Sequence, residues 1–127
     1  SEEQVQEEET TLPESSFTLR EEGTGSAPQS TFEFSYYEDE LIVTFDVTAD
    51  SYVAITGGSN TKYFDGLLTP TTELEPIDIT GEENVHFNIG NTTGLTVKIN
   101  DVPVEYPISP SERVHQKLLI NLVKATN

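Results

Sequence analysis

Val85-His-Phe-Asn-Ile-Gly-Asn91 and Leu95-Thr-Val-Lys-Ile-Asn-Asp-Val-Pro-Val104 are stretches in which apolar and polar residues alternate. Alternation with a period of two, ended by turn-forming Gly, Asn or Pro, is typical of strands with one buried and one solvated face. Ser51-Tyr-Val-Ala-Ile55 and Phe64-Asp-Gly-Leu-Leu68 have the same character. Residues 51–104 therefore predict an antiparallel β unit, and they contain no recognisable catalytic constellation.

The strongest single strand prediction lies just upstream, at residues 41–48. Leu41, Val43, Phe45 and Val47 fall on one face of this strand. Because such an apolar strand is prone to aggregation at a sheet edge, we expect it to be internal. Residues 31–37 alternate weakly and form either a first edge strand or the end of a linker.

Turn signals separate the remaining strands. Gly57-Gly-Ser-Asn60 and Asn100-Asp101 predict hairpin turns, since Gly, Asn and Asp tolerate positive φ. Residues 73–79 predict a strand that carries Pro76, which belongs at an edge or a bulge. Counting gives seven or eight strands, so the predicted fold is all-β: an antiparallel β-sandwich, Ig-like or similar.

The last segment is ambiguous. Ser109-Pro-Ser-Glu112 has the form of a helix start, with Ser as N-cap, Pro at the first helical position and a capping Glu. The apolar residues from Val114 to Leu122 fit both a period of two and a period of four. Because every earlier element is a predicted strand, we interpret this segment as a strand too.

The acidic residues concentrate at the start of the chain. Residues 1–40 hold 12 Asp and Glu against Arg20 alone, within a total net charge of −17. Low hydrophobicity with charge of one sign predicts a disordered linker over residues 1–31, followed by a β-sandwich domain over 32–127. Two roles fit such a linker: an acidic interaction arm, or a solvated spacer with no binding role of its own.

Composition excludes several function classes. Six Lys and Arg in the whole chain argue against binding a nucleic acid or an anionic lipid surface. The two His and no Cys make no metal site, and no catalytic motif is present, so we expect neither a cofactor nor enzymatic activity. The chain begins at Ser1 and contains no Met, from which we expect a fragment of a longer protein.

Several short motifs follow one another from residue 41 to residue 118. They are Leu41-Ile-Val-Thr-Phe45, Ala49-Asp-Ser-Tyr-Val53, Asp65-Gly-Leu-Leu68, Ile89-Gly-Asn91, Thr96-Val-Lys-Ile-Asn100 leading to Val104, and Val114-His-Gln-Lys-Leu118. In this order they resemble the C-terminal extracytoplasmic domain of the RodZ family of bacterial cell-shape proteins. Two positions depart from the family pattern: Tyr52 stands where Trp is usual, and Asp101 where the turn Gly is usual.

The resemblance implies a non-catalytic interaction domain on the extracytoplasmic face of the bacterial membrane, within a single-pass membrane protein. Such a protein couples the MreB cytoskeleton to peptidoglycan elongation, and it contacts MreB only through a cytoplasmic part. The implied partners of this domain are MreC-type scaffold proteins or penicillin-binding proteins. The alternative is a carbohydrate-binding β-sandwich module that recognises peptidoglycan.

Exposed tyrosines would serve either reading. We expect Tyr63 to be exposed if Phe64 points inward, and we take Tyr63, Tyr106 and Asn60 of the neighbouring hairpin loop as candidate binding residues. The family pattern implies that Tyr52 lies in the core. Tyr52, Gly66, Gly90, Asn91 and Asn100 are the structural positions that the resemblance implies.

Overall fold

The structure, a computed structural model, describes residues 14–126, which form an all-β domain. The remainder of the predicted linker, residues 1–13, lies outside the described residues. Ten strands are present: β1 (Ser16–Glu21), β2 (Gln29–Tyr36), β3 (Ile42–Val47), β4 (Ser51–Gly57), β5 (Lys62–Leu68), β6 (Ile77–Asp78), β7 (Asn84–Ile89), β8 (Leu95–Ile99), β9 (Val102–Pro103) and β10 (Gln116–Lys124). A short 3-10 turn at Thr92–Gly94 joins β7 to β8.

The strands form two sheets that pack as a sandwich. The six-stranded sheet has the order β1-β2-β10-β7-β4-β5, and the four-stranded sheet has the order β6-β3-β8-β9. All pairs are antiparallel except β2 with β10, which run parallel. The predicted antiparallel sandwich is confirmed, and β3 is internal as expected. The strand count exceeds the prediction because β1 lies in the predicted linker.

The core lies between the sheets and follows the alternation seen in the sequence. Val53 and Ile55 of β4, Phe87 of β7 and Val97 of β8 are fully buried. The Phe45 and Phe87 rings meet edge to face, with centroids 6.4 Å apart across the sandwich. Period-two burial from both sheets thus accounts for a single core.

The structure corrects the prediction of a linker at residues 16–21 and 29–31, which lie in strands. They belong to β1 and β2, and β2 is an internal strand whose Phe32 and Phe34 are buried. β1 has few apolar residues of its own, but the Phe17 ring packs on the Phe34 ring with centroids 4.4 Å apart. Long-range packing therefore overrides the linker-like local composition. The division of the chain into a tail and one domain stays a prediction.

Both predicted hairpin turns are present. Asn60 has a φ of 72°, and Asn100 and Asp101 have φ values of 52° and 67°. Two successive left-handed residues are what a two-residue hairpin turn requires. Residues 73–79 give only the short edge strand β6, with Pro76 immediately before it.

The ambiguous last segment is a strand from Gln116 onward. Leu118, Ile120 and Leu122 point into the core, whereas Val114 is exposed. Gln116 is fully buried, and its Nε2 donates to the carbonyl oxygens of Ile108 and Arg113, each at 2.8 Å. This side chain fastens residues 108–113 to the sandwich, so the helix-start motif remains a turn.

Candidate binding face

Tyr63 and Asn60 lie in and beside the β4–β5 hairpin. Tyr63 is half-buried, and its hydroxyl donates to Glu82 Oε2 at 2.5 Å. Glu82 also accepts from Ser59 Oγ at 2.7 Å and from the Ser59 backbone N–H at 3.1 Å. The bond to Glu82, followed by burial, raises the pKa of Tyr63 to about 12. Tyr63 thus fastens the hairpin to the β6–β7 turn, and Asn60 occupies the exposed left-handed position of that hairpin.

Tyr106 faces the sandwich rather than solvent. It is half-buried, and its hydroxyl donates to the Leu95 carbonyl oxygen at 2.6 Å. Burial raises the pKa of Tyr106 above its ordinary range. The hydroxyl therefore anchors the segment after β9 to β8.

Tyr52 is exposed, and the expectation that it lies in the core is wrong. Its side chain is 43% exposed, whereas its neighbours Ser51 and Val53 are buried. Alternation along β4 leaves Tyr52 on the outer face of the six-stranded sheet. The apolar Val53 and Ile55 define the buried face of β4, so alternation alone predicts an exposed Tyr52. The expectation of a core position came from the Trp of the family pattern.

Tyr52 is the centre of a mixed surface. It lies opposite Leu67, which is 59% exposed. The Tyr52 hydroxyl donates to Asp65, and Lys62 Nζ lies 3.3 Å from the second oxygen of that carboxylate. The bond from Tyr52, and then Lys62, lower the pKa of Asp65. We call Tyr52, Lys62, Asp65 and Leu67 the Tyr52 patch.

The other motif positions make local backbone contacts. The Gly90 N–H donates to the Tyr52 carbonyl at 2.8 Å, and Gly66 pairs with Val53 across the β4–β5 ladder. Asn91 Nδ2 donates to the Asp50 carbonyl at 2.9 Å. These contacts hold the start of β4, and with it the Tyr52 patch, against β5 and β7.

Asn100 holds the β8–β9 turn in place through hydrogen bonds of its side chain. Its Oδ1 accepts from the Ile42 N–H at 2.9 Å, and its Nδ2 donates to the Glu40 carbonyl at 2.9 Å and to Glu38 Oε1 at 3.0 Å. Asn100 therefore joins the turn to the start of β3.

A row of polar side chains continues the outer face beyond the Tyr52 patch. His115 Nε2 lies 2.5 Å from Asn88 Oδ1, and His86 Nε2 lies 3.0 Å from Gln29 Oε1. Burial, and then the positive charge of Lys117, lower the pKa of His86. The lowered pKa favours the uncharged form of the His86 imidazole, so this part of the face presents polar hydrogen-bonding groups.

Within residues 14–126, no cluster of three or more His, Asp or Glu side chains is placed to hold a metal ion. The same part of the chain contains no helix long and apolar enough to cross a membrane.

The comparisons with known proteins identify a family. A model of the RodZ C-terminal domain matches residues 44–116, more than half of the chain. The chain belongs to this family. Membership of this family supports a RodZ-like role in cell shape. RodZ C-terminal domains form a non-catalytic structural and interaction family. No curated protein and no solved structure matches the chain significantly.

The family match covers the Tyr52 patch but not β1 or β2. The motif positions from Tyr52 to Asn100 all fall within it.

Proposed function

We propose that this domain is the extracytoplasmic interaction module of a RodZ-like cell-shape protein, and that it docks a wall-elongation protein through the Tyr52 patch. The partner is an MreC-type scaffold or a penicillin-binding protein outside the membrane. MreB would be contacted by a cytoplasmic part of the same protein. The domain would thereby couple the cytoskeleton to peptidoglycan synthesis.

The observation that carries this proposal is the exposure of Tyr52 beside Leu67 at a position inside the family match. An exposed aromatic next to an exposed aliphatic side chain provides the kind of anchor around which interface energy concentrates. The Asp65–Lys62 ion pair at its border supplies a polar rim. A stable sheet beneath the patch keeps these side chains in place before a partner arrives.

Glycan binding is the second candidate, and the same Tyr52 ring supports it. Tyr63 and Tyr106, the tyrosines that the sequence proposes as binding residues, are half-buried and less exposed than Tyr52. Tyr52 presents an exposed ring flanked by carboxylate and ammonium groups, which suits a sugar face. Binding to protein-free peptidoglycan would favour this reading.

The test uses the full chain with purified extracytoplasmic domains of an MreC-type protein and of a penicillin-binding protein, and separately with purified sacculi. We expect Tyr52→Ala and Leu67→Asp to weaken binding of one protein partner by about tenfold or more, as for central anchors in an interface. Val123→Asp is the control, because Val123 is also exposed on this sheet face but lies near the far end of β10.

Three outcomes decide between the readings. Loss of protein binding in the two patch variants but not in V123D supports docking through the patch. If the chain is retained on sacculi and the Tyr52→Ala variant is not, the patch recognises glycan and not a protein partner. Equal binding by all variants would show that the Tyr52 patch is not the docking surface.

A further inference from the structure

Leu19 of β1 is a core-facing residue that the core does not cover. In the ladder with β2, Phe17 pairs with Phe34 and Leu19 pairs with Phe32. Both β2 partners are buried, so Leu19 points to the inner side of the sheet, yet it is 44% exposed. The reason is that the facing sheet ends at β9, which is only two residues long.

The uncovered strip forms a groove between the edges of the two sheets. Its volume is about 470 Å³. Its lining is mostly apolar, and its one charged residue is Glu105; the lining residues are Phe17, Leu19, Phe32, Val102, Glu105 and Tyr106, with Ser16, Pro103 and Pro107 at the margins. We call this the β1 groove.

The β1 wall of the groove is firmly held. The Phe17 ring contacts those of both Phe34 and Phe32. The buried Ser15 hydroxyl donates to Glu38 Oε1 at 2.8 Å and accepts from the Tyr37 N–H at 3.2 Å. A strand fixed at its start and through its aromatic side chain is a preformed wall for a ligand.

The backbone of β1 offers hydrogen bonds on the groove side. Within residues 14–126, β1 pairs only with β2, so its outer edge presents backbone N–H and C=O groups. The opposite wall carries Pro103 and Pro107, which have no N–H to donate. An added strand would therefore pair with β1, and the register irregularity after Leu19 limits the regular stretch to Ser16–Leu19.

Charge defines the occupant. Glu105 lines the groove, and Glu21 and Glu22 are exposed where β1 ends. The first ten residues of the chain contain five Glu and no Lys or Arg, and a second copy would carry the same net charge of −17. Charge repulsion therefore disfavours binding of the chain's own start or of a second copy, whereas charge attraction favours binding of a basic segment.

We propose that the β1 groove binds an extended peptide segment of a partner protein, apolar at alternate positions and basic between them, by strand addition to β1. Apolar side chains of the segment would cover Leu19 and Phe17. The basic side chains between them would point to the opposite side of the added strand, and the overall negative charge of the chain, to which Glu105 contributes, would attract them without direct contact. Strand addition takes its affinity from main-chain hydrogen bonds and its specificity from alternate side chains. The groove is four strand spacings from β4, about 19 Å, so the inference is independent of the Tyr52 patch.

The test is a titration of the ¹⁵N-labelled full chain with a fluorescent hexapeptide that alternates valine and lysine. Two matched peptides serve as controls: one has glutamate in place of lysine, and the other has proline in place of the two central residues. We expect saturable amide shifts at Ser16–Leu19, at Val102 and at residues 104–106 with the lysine peptide alone. Anisotropy gives the affinity in the same samples.

Chain variants separate the groove from general charge attraction. Leu19→Asp should weaken binding by about tenfold, since it places a carboxylate where an apolar side chain is buried. E105K should weaken binding of the lysine peptide by about threefold and improve that of the glutamate peptide. Val123 is about as exposed as Leu19 but lies on another face, so V123D should leave the affinity unchanged.

Several results would overturn the inference. Absence of saturable shifts at groove amides, or equal shifts with the proline peptide, excludes strand addition. Concentration-dependent dimers that Leu19→Asp dissolves would assign the groove to a second copy. Groove shifts on deletion of residues 1–13 would assign it to the chain's own start. Peptide affinity that Leu19→Asp leaves unchanged or raises, as an added carboxylate would do for attraction by charge alone, would show that the groove is not the binding site.

Discussion

The two lateral edges of the sandwich differ in how they are closed. At the β5 edge, residues 69–76 cross from β5 to β6, and the half-buried Leu74 packs against the core. A turn in which the Thr72 N–H donates to the Thr69 carbonyl at 3.0 Å shapes this crossing. The space left there is about 260 Å³, compared with about 470 Å³ at the β1 edge.

This difference shows how chain connectivity determines which edge stays open. The β5 edge is covered because the connection between the sheets passes over it and contributes an apolar side chain. At the β1 edge, residues 104–107 supply one wall, and no crossing segment within residues 14–126 covers Leu19. A closed edge completes the core, whereas an open edge exposes core-facing surface and a strand backbone.

The largest expected effect comes from removing the anchor of the open edge. Phe17→Ala should lower the free energy of unfolding by about 2 kcal/mol, less than the 3–5 kcal/mol of a fully buried Phe because Phe17 is half-buried. Urea unfolding measures the change. Amide exchange should accelerate in β1 and remain unchanged in β5; acceleration in both strands would show that the two edges are not independent.

The matching change at the closed edge should cost less. Leu74→Ala should lower the free energy of unfolding by about 1 kcal/mol, since it truncates a half-buried side chain on a connection. Exchange at residues 68–78 should accelerate while β1 keeps its protection. A loss equal to that of Phe17→Ala would contradict the stated difference between the edges.

The β8–β9 turn allows the wall opposite β1 to be strengthened. Asp101 adopts a φ of 67°, a conformation that glycine adopts without a Cβ clash. Asp101→Gly should raise the free energy of unfolding by about 0.5 kcal/mol, measured by thermal or urea unfolding. A stability loss would mean that the Asp side chain contributes contacts that outweigh its backbone strain.

The smallest effect is a dependence on pH at the end of the open edge. Glu38 links both walls, since it accepts from Ser15 of the β1 side and from Asn100 of the β8–β9 turn. Burial raises its pKa, but the hydrogen bonds from Ser15 and Asn100, with backbone donors, outweigh burial and lower it below 4.5. The stabilisation is therefore present above pH 4.5 and is lost as pH falls through the lowered value.

Glu38→Gln should make the thermal midpoint less sensitive to pH between about 5.5 and 3 than in the unaltered chain. Glu75→Gln, at the closed edge, is the control and should retain the original slope. An unchanged slope in Glu38→Gln would show that Glu38 does not join the two walls in solution.

Sequence patterns predicted the strands of residues 41–104 well because alternation and turn residues act locally. The Asn100-Asp101 turn and the buried face of Leu41 and Val43 needed no knowledge of distant contacts. β1 could not be predicted in the same way, since its order depends on the contact between Phe17 and Phe34 and on pairing with β2. Its own composition resembles a linker.

The candidate site shows the same division. Alternation along β4 was sufficient to place Tyr52 on the outer face. The hydroxyl partners of Tyr63 and Tyr106 lie on other elements, so their internal bonds could not be foreseen from spacing. The β1 groove arises from the mismatch between a six-stranded and a four-stranded sheet, which only the assembled fold reveals.

Native-state amide hydrogen exchange of the full chain tests the open edge most directly. We predict that the β2-facing amides of β1 are protected to an extent similar to the β4-facing amides of β5, because each strand pairs with one neighbour. Exchange of all β1 amides at the rate of an unstructured chain would contradict it. The sandwich would then begin at β2, and the β1 groove would not exist.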